Sequence, residues 1–68
     1  MTYIKIKDEH IKLGQLLKLA GLVDSGLEAK IEINEGNVTL NGNVETQRGK
    51  KVYPGDVVKF KGEEIRVL

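Results

Sequence analysis

A chain of 68 residues is long enough for one small domain, which we expect to span residues 1–68. The chain has no cysteine, which excludes disulfides and thiolate zinc sites, so aliphatic packing must supply its stability. Its formal net charge is only +1, so the distribution of charge says more about possible partners than the total does. The apolar runs are far shorter than the roughly 20 residues of a membrane helix, and the charged N-terminus has no apolar leader region, so we expect a cytoplasmic protein without a membrane partner.

The first third of the chain predicts one strand and one helix. Residues 3–7 alternate apolar and basic side chains, which is typical of a strand at a sheet edge, where lysine discourages unwanted pairing. Four apolar residues then recur at the i, i+3, i+4 and i+7 spacing of one helix face, and Gly21 is a favourable terminator for that helix. The four residues are Leu13, Leu16, Leu17 and Ala20.

A second helix is predicted to begin at Asp24 or Ser25 and to end at Gly36. Ser25 and Glu28 form a capping-box pattern, in which the hydroxyl accepts one free N–H and the carboxylate reaches back to another. Residues 29–33 alternate between apolar and charged side chains and would also fit a strand. The cap, the terminal glycine and the helix-forming residues after the cap favour the helix.

Turn signals divide the second half of the chain into short strands. Asn41 and Gly42 stand between two short strand-like runs, and this dipeptide is typical of a type I′ hairpin turn, whose central residues both take positive φ. The sequence PGD at 54–56 predicts another turn, which is followed by a strand at Val57–Phe60, a third turn and a last strand at 64–68. This order predicts an α+β fold in which two helices pack on one face of a small, mainly antiparallel, twisted sheet.

The loop after the predicted hairpin carries three bases within four residues. Arg48 can hold a phosphate in a bidentate fashion, while Lys50 and Lys51 supply mobile positive charge. The charge of the chain is one-sided, since residues 24–45 hold five acids and one base whereas residues 48–61 hold five bases and one acid. The loop therefore predicts contact with a phosphate backbone, with an ordinary solvated loop as the alternative.

The residue types do not favour catalysis or a bound cofactor. Ser25 is the only serine and already has a capping role, and His10 has no second histidine with which to bind a metal. The sequence GKK at 49–51 lacks the preceding GxxxxG of a phosphate-binding P-loop. We therefore expect no enzyme activity, no cofactor and no small-molecule substrate.

A series of short motifs between residues 11 and 60 resembles the RNA-binding domain called S4, after a protein of the small ribosomal subunit. No single motif is specific, but their order and spacing together are. They are KLGQLLK at 12–18, EAK at 28–30, EGNV at 35–38, NG at 41–42 and VYPGDVV at 52–58. The whole chain resembles the small stand-alone bacterial S4-domain proteins of the YaaA/YbcJ type, which add one strand in front of the domain.

The resemblance implies an alpha-L RNA-binding motif, whose surface is formed by the two helices and the loop after the hairpin. It also implies a link to ribosomes, ribosome assembly or another structured RNA. Basic side chains would contact phosphates, and the hairpin turn would shape the rim of the surface; the contribution of Lys18 stays open. The implied RNA-binding residues are Lys12, Lys30, Asn41, Gly42, Arg48, Lys50 and Lys51.

Three positions depart from the family pattern. Gly26 stands where many members have an arginine after the serine of helix two, and Gly14 replaces an aspartate that is common near the start of helix one. Ile31 lies where a basic residue is often found. These departures predict an RNA surface that is weaker than usual or centred on the loop.

The leading prediction is a monomeric, non-enzymatic module that binds structured RNA, ribosomal RNA in particular. The chain has only three aromatic residues, which argues against reading single strands base by base and favours recognition of shape and phosphate position. The alternative is a protein-docking or ubiquitin-like module, because small sulfur carriers also have a late segment like GDVV at 55–58. Such carriers end in Gly-Gly, whereas this chain ends in RVL, so a protein-docking domain is the form of the alternative that stays open.

Overall fold

The computed structural model describes all 68 residues and contains two helices and seven short strands. The helices are α1 (Leu13–Leu19) and α2 (Gly26–Asn34). The strands are β1 (Thr2–Ile4), β2 (Ile11–Lys12), β3 (Val38–Leu40), β4 (Asn43–Val44), β5 (Lys51–Val52), β6 (Val57–Phe60) and β7 (Glu63–Val67). Neither helix has the length and apolar character needed to cross a bilayer.

Five strands form the main sheet in the order β1-β7-β6-β3-β4. All neighbouring pairs are antiparallel except β1 and β7, which are parallel. The first strand lies at a sheet edge as predicted, but its regular part ends at Ile4 rather than at residue 7. One further main-chain hydrogen bond lies beyond the regular part of β1, where the N–H of Ile6 donates to the carbonyl of Leu68 at 3.2 Å.

A separate two-stranded antiparallel ladder joins β2 to β5, and the sequence did not predict it. Each of these strands has only two residues, which is too short for any alternation of apolar and polar side chains to be visible. The ladder connects the residues just before α1 to the end of the loop after β4. It therefore brings two distant parts of the chain to one place.

The core lies between the two helices and the main sheet. Leu13, Leu16 and Leu17 of the predicted α1 face are fully buried, and Ala20 packs against them at the edge of the core. Both helices and strands β3, β5, β6 and β7 contribute to one apolar cluster. Its members are Leu13, Leu16, Leu17, Val23, Ala29, Ile33, Val38, Val52, Val58, Phe60, Ile65 and Val67.

Helix α2 begins at the predicted cap. The Oγ atom of Ser25 accepts the N–H of Glu28 at 3.1 Å. The Glu28 carboxylate accepts the N–H of Asp24 at 2.9 Å, one residue before the N–H that a capping box uses. The helix ends just before Gly36, as predicted.

The helix prediction for residues 29–33 is confirmed over the strand alternative. Ala29 and Ile33, four residues apart, are both fully buried, whereas Ile31 between them is 48% exposed. A strand would have buried all three apolar residues on one face. The cap and the core contacts of Ala29 and Ile33 therefore outweigh the alternating pattern.

Two hairpins of the sheet have the same type of turn. Asn41 and Gly42, between β3 and β4, have φ angles of 51° and 89°, which confirms the predicted type I′ turn. Lys61 and Gly62, between β6 and β7, have similar φ angles of 49° and 80°. These turns set the register of the antiparallel part of the sheet.

Glu32 on α2 holds the β6–β7 turn against the helical layer. Its carboxylate accepts a hydrogen bond from the side chain of Asn37 at 2.8 Å and forms an ion pair with Lys61 at 2.9 Å. The hydrogen bond from Lys61, followed by that from Asn37, lowers the pKa of Glu32, and the same bond to Glu32 raises the pKa of Lys61. The side chain of Glu32 is only 14% exposed whereas that of Lys61 is 64% exposed, so only the acidic end of the ion pair is shielded from water.

Replacing Glu32 with glutamine should lower the free energy of unfolding near neutral pH but much less in acid. Because the folded-state pKa of Glu32 lies below its ordinary value of 4.5, the ionised group stabilises the fold above that value. This contribution is lost as the pH falls through the lowered pKa. We expect the difference in unfolding free energy between wild type and Glu32→Gln to be largest near neutral pH and to shrink in acid. Urea denaturation at a series of pH values measures it.

Glu63→Gln is the matched control, because Glu63 is exposed and forms no ion pair. Its difference from wild type should be small throughout. A gap for Glu32→Gln that stays constant from neutral pH to well below 4.5 would contradict the assigned role of the ion pair.

Candidate functional site

The basic loop, defined here as residues 47–51, is held against the start of α1 by main-chain hydrogen bonds. The N–H of Leu13 donates to the carbonyl of Lys50 at 2.9 Å, and the N–H of Gly14 donates to the carbonyl of Arg48 at 3.0 Å. Helix α1 has no side-chain cap, so the loop carbonyls satisfy N–H groups of its first turn. The backbone of the loop is thereby fixed, while the basic side chains of Arg48 and Lys50 stay exposed.

Gly14 provides the space that Arg48 occupies. A Cβ atom at position 14 would lie 2.7 Å from Cγ and 3.3 Å from Cδ of Arg48, which is too close for either atom to stay in place. Gly14 itself is buried beneath this side chain. Glycine at position 14, which departs from the family pattern, therefore allows the aliphatic part of the Arg48 side chain to lie over the first turn of α1.

The ladder between β2 and β5 places Lys12 directly opposite Lys51. Side chains in such positions have Cβ atoms about 4.5–5.5 Å apart, and like charges there repel each other. Neither lysine has an acidic partner. The fold thus holds two positive charges close together, an arrangement that an anion would stabilise.

A groove of about 410 Å³ lies between the basic loop and the two helices, and no hydrophobic residue lines it. We call it the helix groove. Its three cations are Lys12, Lys18 and Arg48. It therefore brings together two residues of the predicted set and adds Lys18, which the sequence left open.

A second groove of about 510 Å³ lies on the other side of Gly49, which lines both grooves. We call it the hairpin groove. It contains three residues of the predicted set, namely Asn41, Lys50 and Lys51. Tyr53 also lines it and is 42% exposed.

The side chain of Asn41 fastens the β3–β4 turn to the turn before β6. Its amide nitrogen donates to Asp56 Oδ1 at 3.0 Å, and its carbonyl oxygen accepts the N–H of Val57 at 2.8 Å. The other carboxylate oxygen of Asp56 accepts the N–H of Tyr53 at 2.8 Å. The NG and PGD motifs are therefore parts of one hydrogen-bonded unit, which forms a wall of the hairpin groove.

Lys30 and Gly42, the remaining two residues of the predicted set, line neither groove. Lys30 is exposed and follows Gly26 of the helix groove by four residues on α2, so it lies on the same helix face one turn further along. Gly42 lies at the exposed end of the β3–β4 turn beside Asn41. Both are thus at the margins of the site.

The cations around the two grooves have no acidic partner within the protein. The two ion pairs of the molecule join Lys59 to Glu64 at 3.2 Å and Lys61 to Glu32 at 2.9 Å. Lys59 and Lys61 belong to the base-rich part of the sequence, yet they line a different groove. The unpaired cations at or beside the two grooves are Lys12, Lys18, Lys30, Arg48, Lys50 and Lys51.

Sequence reasoning missed several residues that line the grooves, among them Gln15 and Tyr53. Gln15 lines the helix groove because it faces away from the buried side of α1. Tyr53 lines the hairpin groove because it follows β5 directly, and the β2–β5 ladder that positions it was not predicted. The helical periodicity could have shown Gln15 to be exposed, but no sequence signal placed it beside Arg48.

Comparison with known proteins identifies the family and the fold. A family model described as S4 domain matches residues 4–68. The protein YbcJ of Escherichia coli (strain K12) is 44% identical over 67 residues, which cover 98% of this chain and 96% of YbcJ. A Bacillus subtilis (strain 168) protein named "Probable ribosome maturation protein RlbA" is 46% identical over 59 residues, which cover 87% of this chain and 83% of RlbA.

A solved structure shows the same fold. The solution structure of E. coli YbcJ matches with a TM-score of 0.77 and 40% sequence identity, over 100% of this chain and 87% of that one. It is described as revealing an alphaL motif involved in RNA binding. The predicted resemblance and the predicted α+β fold, with two helices and a mainly antiparallel sheet, are therefore confirmed.

Replacing Gly14 with alanine should displace Arg48 without unfolding the protein. Alanine in place of glycine favours a helix by roughly 1 kcal/mol, but its Cβ atom cannot coexist with the present position of the arginine. We expect the nuclear Overhauser contacts between the Cγ and Cδ protons of Arg48 and α1 to weaken in Gly14→Ala, because these atoms must move away from position 14. Gly49→Ala is the control, because a Cβ atom there meets nothing within 4 Å. Contacts that persist unchanged in Gly14→Ala would show that Arg48 does not depend on this glycine.

Proposed function

This chain belongs to the S4 domain family, and from that membership we propose that it is a non-catalytic RNA-binding protein whose partner is structured RNA, ribosomal RNA in particular. The observation that carries the proposal is the group of unpaired cations around the helix groove and the hairpin groove. Acids neutralise Lys59 and Lys61 elsewhere in the molecule but none of the basic residues that line these two grooves. The unpaired charges are therefore available for phosphate.

The chemistry of the cations fits a phosphate backbone. Arg48 offers a planar guanidinium that can bind two phosphate oxygens at once, while Lys50 and Lys51 act as point charges. Each contact releases counterions from the nucleic acid, so affinity should fall steeply as salt concentration rises. Gly49 lines both grooves, so an RNA backbone that crosses the loop at this residue would pass both sets of charges.

The way these side chains are supported favours recognition of a folded RNA. Lys12 and Lys51 lie on the β2–β5 ladder. The carbonyl group of Arg48 accepts the N–H of Gly14 in α1. Charges on a fixed backbone select phosphates that are themselves held at fixed positions, as in a stem or junction. Sequence would then contribute little to the contacts made by these three residues.

The relatives favour a ribosomal context. RlbA of B. subtilis carries a name that refers to ribosome maturation, and YbcJ of E. coli has a motif described as involved in RNA binding. We propose that this protein acts in ribosome assembly or translation in the bacterial cytoplasm. We propose further that it acts as a monomer. A pull-down with and without RNase separates this function from the protein-docking alternative, because partners held through RNA are lost on digestion.

Neutralising the basic loop should weaken RNA binding and reduce its dependence on salt. In the double variant Lys50→Gln, Lys51→Gln, each lost phosphate contact should lower the slope of log K against log salt by up to about 0.9. We expect a loss of at least about tenfold in affinity for ribosomal RNA at moderate salt. Filter binding across a salt series measures both quantities. Changing Arg48, Lys50 and Lys51 together to glutamate should abolish retention.

The matched control is the double variant Lys59→Gln, Arg66→Gln, which removes the same charge from another part of the surface. Lys59 is in an exposed ion pair of small energetic value, and Arg66 has no ionic partner. Both affinity and slope should stay near wild type. Equal losses in the two double variants would mean that total charge, rather than this site, determines binding.

Placing an arginine at position 26 should strengthen binding. Gly26 lines the helix groove, a Cβ atom there meets nothing within 4 Å, and many family members have arginine at this position. Gly26→Arg should increase affinity several-fold and steepen the salt slope by up to about 0.9. Gly26→Gln supplies a similar length and a similar helix propensity without the charge. If both variants bind alike, the helix groove does not contact phosphate.

A further inference from the structure

We propose that the hairpin groove accepts one unpaired base of the bound RNA, stacked on the ring of Tyr53; this rests on the proposed RNA-binding function. Tyr53 is 42% exposed and lines the same groove as Lys50 and Lys51. A base that leaves its stack needs an aromatic surface for its face and positive charge for its phosphate. This groove offers both within one concavity.

The ring of Tyr53 has an aromatic neighbour, and its backbone is hydrogen-bonded, without any ligand. The His10 ring lies against it with 5.7 Å between the ring centroids and an angle of 51° between the planes. The N–H of Tyr53 is bonded to Asp56, whose other carboxylate oxygen is bonded to Asn41. A ring with such a neighbour and a hydrogen-bonded backbone has fewer conformations to lose when a base stacks on its exposed part.

The size and polarity of the groove also fit a single nucleotide. Its volume of about 510 Å³ lies within the range of pockets that hold small ligands. Asp56 and the carbonyl oxygen of Asn41 already have protein partners, whereas the side-chain amide of Gln47 makes no hydrogen bond within the protein. Stacking should therefore contribute more to binding of the base than hydrogen bonds to its edges do. The side-chain amide of Gln47 is the one free amide that could form such a hydrogen bond.

This arrangement extends the sequence-based interpretation. Three aromatic residues are too few to read a single strand base by base, but one ring beside two lysines is enough for one extruded base. The preferred ligand is then a stem with a bulged or flipped nucleotide rather than a perfect duplex. The phosphates beside the bulge would contact Lys50 and Lys51.

Two RNA hairpins that share one stem test the proposal. One is fully paired, and the other carries a single bulged 2-aminopurine, whose fluorescence falls when the base stacks. Wild type should bind the bulged hairpin about 5- to 100-fold more tightly than the paired one, in line with the strength of base–aromatic stacking, and should quench its fluorescence. Tyr53→Phe keeps the ring and should retain both effects. Tyr53→Leu keeps apolar bulk without the ring and should lose both.

The paired hairpin separates this proposal from the function on which it rests. Its binding should depend on Lys50 and Lys51 and not on Tyr53. If wild type binds the two hairpins equally and Tyr53→Leu leaves the fluorescence signal unchanged, the stacking site is wrong while RNA binding stands. If wild type binds neither hairpin, the proposed function fails as well. Equal unfolding midpoints for Tyr53→Phe and Tyr53→Leu ensure that the comparison reports the ring alone.

Discussion

The hydrogen bonds between the basic loop and the first turn of α1 determine how the charged surface of this protein is built. Carbonyl groups of Arg48 and Lys50 accept the N–H groups of Gly14 and Leu13, which would otherwise lack partners at a helix start without a side-chain cap. One set of bonds thus completes the helix and fixes the loop. The side chains of the loop are left free to face outward, and the two grooves lie on either side of it.

The distribution of ion pairs gives this surface its character. Lys12 and Lys51 stand opposite each other without an acid, and both side chains are exposed, so water and salt screen their repulsion. At Glu32, an ion pair joins a helix to a turn, whereas the Asp56 carboxylate in the hairpin groove is hydrogen-bonded to Asn41 and to the backbone of Tyr53. Neighbouring lysines without an acid leave positive charge available to an anion.

The turn motifs have a role beyond reversing the chain. The side chain of Asn41 donates a hydrogen bond to Asp56 and accepts one from the N–H of Val57. These bonds join two turns that are separate in sequence into one unit beside the hairpin groove. Asp56 also bonds to the backbone of Tyr53, which brings an aromatic ring to the hairpin groove. The family motifs NG and PGD therefore specify a structure through their mutual contacts, and the proposed nucleotide site uses that structure as its support.

The sequence by itself determined the two helices, the cap at Ser25, the hairpin turn at Asn41 and the cationic character of the loop. Each of these depends on interactions between residues within a few positions of one another, so a local pattern carries the information. The structure alone decided that Lys12 stands opposite Lys51, that Gly14 makes room for Arg48, and that Lys59 and Lys61 are neutralised. Apart from the Lys59–Glu64 pair across one hairpin, these contacts join segments far apart in the chain, and their partners are selected by the packing of a shared core rather than by neighbouring residues.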